Sequence, residues 1–130
     1  MCIRDSVQVG LGAADLLAEG GLDVTVADAR FAKPLDAQLL AALAAEHDLL
    51  VTVEEGVLAG GFGSAVWESL SEGGASPRIL RVGLPDAYVT HGAPKLLHAE
   101  VGYTPERVAE RIAERIQSAV LEPRGSFASA

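Results

Sequence analysis

The stretch from Leu49 to Ala65, Leu-Leu-Val-Thr-Val-Glu-Glu-Gly-Val-Leu-Ala-Gly-Gly-Phe-Gly-Ser-Ala, constrains the fold more than any other part of this chain. Its apolar start, Leu49 to Val53, predicts a buried strand. Two carboxylates, Glu54 and Glu55, stand where that strand should end. Gly60, Gly61 and Gly63 then form a flexible loop, and a helical pattern opens at Ser64. Strand, glycine loop and helix in that order is how an open α/β sheet places functional backbone at the carboxyl ends of its strands. A helix N-terminus at that place has free N–H groups and a partial positive charge, which suits an anion. The spacing Gly61-x-Gly63-x-x-Val66 lacks the third glycine of a dinucleotide fingerprint. Tight packing of the loop against its own sheet asks for the same glycines, and we take it as the plainer reading.

The rest of the chain alternates helical and strand patterns. Val7 to Glu19 has helical spacing and is stopped by Gly20-Gly21. Met1 to Ser6 fits no element. Leu22 to Ala27 alternates, with Leu22, Val24 and Val26 on one face, and predicts a strand. Asp36 is placed to cap a helix over 37–46, whose core stripe is Leu39, Leu40 and Leu43. A helix from Ser64 to about Ser71 would bury Ala65, Val66, Ser69 and Leu70. Ile79 to Val82 predicts a third strand. A short helix is expected from Ala93 to Glu100. Thr104 and Pro105 open a last helix whose buried stripe is Val108, Ile112, Ile116 and Val120, flanked by Ala109 and Ala113. Its outer rows, Arg107, Arg111 and Arg115 beside Glu106, Glu110 and Glu114, describe a solvated face with pairs such as Arg107–Glu110. Leu121 to Ala130 reads as a frayed tail. Such alternation predicts a three-layer α/β/α fold with a mainly parallel sheet and right-handed crossovers.

Length and charge narrow the function classes. At 130 residues the chain is one domain with room for a core. A net charge of −8 argues against nucleic acid and anionic membranes as partners. No apolar run approaches the roughly 18 residues of a membrane helix. The single Cys2 cannot form an internal bridge, and the cytoplasm is the expected compartment.

The inventory of reactive groups is thin. His47, His91 and His98 are scattered without metal-ligand spacing. His47 closes a helix, where a cation suits the dipole. His91 sits in a loop and is the one histidine placed for chemistry, with a structural hydrogen bond as the plainer reading. Adjacent on a strand, Glu54 and Glu55 point to opposite faces and are no acid–base pair. One would face the loop and the other would cap backbone N–H groups. Arg30 and Lys33 follow the preceding strand and reach the same sheet end, where Arg30 could pair with a glutamate. Trp67 is expected to pack against a neighbour. No serine stands in a nucleophile elbow.

Four loop sequences occur in order: Asp28-Ala-Arg-Phe-Ala-Lys-Pro-Leu-Asp36, Thr52-Val-Glu-Glu-Gly56, Ala59-Gly-Gly-Phe-Gly-Ser-Ala65, and Gly83-Leu-Pro-Asp86 with His91-Gly-Ala-Pro94. Together they resemble the carboxyl-terminal, transketolase-like domain of the 1-deoxy-D-xylulose-5-phosphate synthases, from about Val7 to Ile116. The resemblance implies part of a thiamine-diphosphate enzyme that condenses pyruvate with glyceraldehyde 3-phosphate and feeds isoprenoid and thiamine synthesis. In that family Mg²⁺ and the diphosphate are held by a Gly-Asp-Gly…Asn motif in an earlier domain, and no Gly-Asp-Gly occurs here. The resemblance therefore implies no catalytic residue, bound cofactor or metal in this chain. It implies a supporting role beside the enzyme's N-terminal and central domains, in a homodimer. Arg30, Glu54, Glu55, Gly60, Gly61, Gly63, Ser64 and His91 are the candidate interdomain or anion contacts. The family also has an apolar strand just before the helix at Val7, lying in the sheet between the 22–27 and 49–53 strands. Met1 to Ser6 does not match it, so the expected organisation is a non-matching head over 1–6, the domain over 7–120 and a tail over 121–130. A truncated gene with sheet edges exposed is the expected cause. Two alternatives stay open: a module binding a phosphate or carboxylate effector at Gly63–Ser64, or the same domain of a transketolase or ketoacid dehydrogenase.

Overall fold

A computed structural model describes residues 3–30, 33–84 and 102–121. Four helices and two strands occur among them: α1 (Ile3–Glu19), α2 (Ala37–Glu46), β1 (Leu50–Val57), α3 (Phe62–Glu72), β2 (Ile79–Leu84) and α4 (Pro105–Leu121). β1 and β2 pair in parallel, in the register Val51↔Leu80, Thr52↔Arg81 and Val53↔Val82. Between Val53 and Val57 the register slips, because four steps along β1 match two along β2, from Val82 to Leu84. This bulge carries Glu54, Glu55 and Gly56. Opposite it, Gly83 has to be glycine: a Cβ there would lie 2.9 Å from Glu54 Cγ, Gly56 O and Leu58 Cδ2.

Period-two alternation sorts the strand side chains into two layers. Val51, Val53, Leu80 and Val82 join the core built by α1 and α4, where Ala13, Leu17, Tyr103, Val108, Ala109 and Ile112 are buried. Thr52 and Glu54 point the other way, toward α3. α3 buries Val66 and Leu70, and α2 packs on α3. The predicted α/β/α layering with a parallel sheet is thus present.

The helix ends follow their sequence signals. At the end of α1, Leu22 N donates to Leu17 O and Gly21 N to Ala18 O, with Gly21 at φ +85°. That is a Schellman motif. Gly74 and Ala75 repeat it after α3 through Ser71 O and Leu70 O. Asp36 caps α2, its carboxylate accepting from Leu39 N at 3.0 Å, and His47 is the C-cap residue. Thr104 Oγ1 accepts from Arg107 N at 3.3 Å at the start of α4. Arg107 and Glu110 form the expected pair on its outer face.

Four expectations need correction. Leu22 to Ala27 is not a strand. Its alternating pattern pairs with neither strand of the described sheet, and Val24 and Val26 stand 38% and 40% exposed. The described sheet therefore has two strands, not three. Ile3 to Ser6 does fit an element, because α1 begins at Ile3 and Ser6 Oγ accepts a 2.7 Å hydrogen bond from Tyr103 OH. Leu39 is no core residue; no residue of α2 is buried. Trp67 is likewise 48% exposed instead of packed away. The helix expected over 93–100, the Val120 side chain and residues 122–130 lie outside the described residues.

Candidate functional site

The sequence places its candidate site where β1 runs into α3, and the geometry there begins with Glu54. The strand extends past its expected end at Val53 to Val57, so Glu54 and Glu55 lie within it. Glu54 is only 8% exposed and faces α3. Its two carboxylate oxygens accept the first backbone N–H groups of that helix, Oε1 from Phe62 N at 3.1 Å and Oε2 from Gly63 N at 2.6 Å. Ser64 N and Ala65 N donate back to Gly61 O. The donors that would make this helix start an anion site already have acceptors within the chain.

The glycines are what lets Glu54 reach. Gly61, the N-cap residue, offers no side-chain cap of its own. A Cβ on it would collide with Glu54 Oε1 and approach Val57 O to 2.6 Å. A Cβ on Gly63 would stand 2.6 Å from Thr52 Oγ1 and 2.8 Å from Arg81 Cδ. Gly60 has φ +68° and open space around it, so it is needed for its backbone conformation alone. The loop is therefore filled by its own sheet, the plainer of the two sequence readings.

Two residues in this cluster escaped the sequence reading. Arg81 lies beside Thr52 in the sheet. Its Nη1 donates to Ser64 Oγ at 2.8 Å and to Leu58 O at 3.3 Å, while Ser64 Oγ itself donates to Leu58 O at 3.1 Å. Thr52 Oγ1 is buried beneath Gly63 without a hydrogen-bond partner. A single cation between Leu80 and Val82 was the available signal for Arg81. Nothing in the sequence distinguished Thr52 from an ordinary β-branched strand residue.

Arg30 is not gathered here. Arg30 is exposed at φ +48°, and its N–H donates to Asp28 Oδ1 at 3.1 Å. It makes no ion pair with Glu54, whose oxygens serve α3. Glu55 is half-buried on the same strand. His91 lies outside the described residues. Among the described residues, no three or more His, Cys, Asp or Glu side chains converge as a metal site, and no helix is long and apolar enough to cross a membrane.

The family described as the transketolase C-terminal domain matches residues 5–108. A 1-deoxy-D-xylulose-5-phosphate synthase of Synechococcus sp. (strain JA-2-3B'a(2-13)) is 47% identical over 116 residues, covering 89% of this chain and 18% of that protein. The synthase of Cupriavidus taiwanensis is 50% identical over 109 residues, 84% of this chain and 16% of its own length. Among solved structures, one titled "Split gene transketolase, inactive beta4 tetramer" is similar at a TM-score of 0.70 and 31% identity, covering 84% of this chain and 35% of that one. The chain spans less than a fifth of the length of the two synthases it matches.

Proposed function

This chain belongs to the transketolase C-terminal domain family, and from that premise we propose that it serves as the last domain of a 1-deoxy-D-xylulose-5-phosphate synthase. Its part is support and contact, and the bond-making groups belong to the rest of that enzyme. The observation that carries this reading is Glu54. In an open α/β sheet a strand-end carboxylate beside a glycine loop is a natural catalytic or metal-binding group. Here both of its oxygens hold the backbone of α3.

The same observation weighs against an anion-effector module, because an incoming phosphate would have to displace a buried internal carboxylate. It also bears on whether this loop suits the thiamine diphosphate and Mg²⁺ that the whole enzyme uses. Mg²⁺ asks for near-octahedral oxygen ligands, commonly one or two carboxylates besides the phosphates. The carboxylate facing this loop is already engaged, so the loop does not fit that group. Cofactor binding belongs to the other domains in this reading, and a homodimer of the whole enzyme is the expected assembly.

The test is a domain graft. Replacing the matching region of the Synechococcus synthase with this chain should leave condensation of pyruvate with glyceraldehyde 3-phosphate in place. The 130-residue chain alone, with thiamine diphosphate and Mg²⁺, should show none. Turnover by the isolated chain would overturn the proposal, as would a folded graft without activity.

A further inference from the structure

The guanidinium of Arg81 is held in place without an acidic partner. Its residue is exposed, and one nitrogen, Nη1, is tied to Ser64 Oγ and Leu58 O. Its stem crosses over Gly63, where a Cβ would lie 2.8 Å from Arg81 Cδ. Nε and Nη2 make no hydrogen bond among the described residues, and no carboxylate there pairs with this arginine. Arg107 pairs with Glu110, and Arg111 bonds the Arg81 carbonyl at 3.4 Å. Arg81 is thus fixed by a side-chain and a backbone acceptor and left with donors to give.

We propose that Arg81 is a docking anchor, receiving a carboxylate side chain from the rest of the enzyme against the β1–α3 loop. Guanidinium presents paired N–H groups that match a carboxylate, and such charge-assisted bonds are the strong ones. The bonds to Ser64 and Leu58 restrain the side chain beforehand, which lowers the ordering cost of docking. A carboxylate suits the place better than a phosphate, because the site adjoins Glu54 and Glu55 in a chain of net charge −8. The length of the relatives supplies the partner: over four fifths of each matched synthase lies outside the region this chain covers.

This inference rests on the proposed function, and its test separates the two. Amide exchange at Leu58 to Ser64 is compared in the free chain and in the Synechococcus graft, each as wild type, R81Q and R81K. Docking should slow exchange in the wild-type graft by about tenfold or more beyond the free chain, a change equivalent to about 1.4 kcal/mol. R81Q should remove this extra protection, and R81K, which keeps the charge and loses the fork, should keep part of it. Equal extra protection in wild type and R81Q, or none in the wild-type graft, would overturn the anchor while graft activity still upheld the domain assignment. An inactive graft would overturn the domain assignment, and the exchange comparison would still decide Arg81. Protection of the free chain by inorganic phosphate, lost in R81Q, would assign the site to a small anion and refute the carboxylate.

Discussion

Removing the Glu54 carboxylate should uncouple α3 from the sheet. In Glu54→Ala, the Gly63 N–H loses its acceptor in a buried position. An orphaned buried donor costs about 1–3 kcal/mol. The Phe62 N–H, half-buried, loses a cap of the kind worth about 0.5–2 kcal/mol. These terms overlap, so the expected loss is about 2–4 kcal/mol, against a total of about 5–15 kcal/mol for an ordinary domain. Glu54→Gln keeps the shape and one acceptor but turns an NH₂ toward a backbone N–H. Its loss should be smaller, about 1–2 kcal/mol, because one of the two bonds survives. Urea titration of both variants, followed by far-ultraviolet circular dichroism, gives these differences from the midpoints if the slope is unchanged. Amide exchange at Phe62 and Gly63 should accelerate more than at Val108. A loss below about 1 kcal/mol in Glu54→Ala would refute the claim that this carboxylate is structural. So would a Gln variant as stable as wild type, since charge and second acceptor would then contribute nothing.

The other expectations concern the same cluster and the core behind it. Gly61→Ala and Gly63→Ala should each cost at least the 1–3 kcal/mol or so of overpacking, with Gly61 the worse because the obstruction is backbone Val57 O as well as Glu54. Gly60→Ala should cost about 1–2 kcal/mol, from backbone conformation alone. Thr52→Val should stabilise by roughly 1 kcal/mol in thermal or urea melts, because it replaces an unpartnered buried hydroxyl with a methyl group of like size; a destabilised variant would show that the hydroxyl has a use. Tyr103→Phe should cost about 1 kcal/mol by removing the bond to Ser6, and exchange at the start of α1 should then quicken.

The sequence made the local rules legible and the pairing rules less so. Asp36, Thr104, Gly21 and the Val108, Ile112 and Ile116 stripe of α4 could be read directly, because caps, Schellman turns and a helical period are decided within a few residues. The strand at Leu22 to Ala27 could not, because a strand exists only where a neighbour offers hydrogen bonds. An alternating pattern states a capacity and says nothing of the partner. Leu39 failed for a similar reason. A helix with leucine at the right spacing faces a core only where another layer lies over it, and Leu39 stays 43% exposed although α2 packs on α3.

The site divides along the same line. The glycines and the two glutamates were evident as a motif, but their role turned on where β1 ends. Had the strand stopped at Val53, Glu54 would have stood on the loop with its oxygens open to a ligand. Because a bulge carries the strand on to Val57, Glu54 falls on the α3 face at the height of the helix start. Its oxygens then become the helix's own cap. The bulge depends in turn on Gly83, a residue on the other strand, whose lack of a side chain leaves room for Glu54 Cγ and Gly56 O. A motif that looks catalytic in one dimension is thus converted into a brace by a register shift between two strands. In this chain, whether the strand-end carboxylate is available for chemistry has to be argued from the neighbouring strand as well as from the loop that carries it.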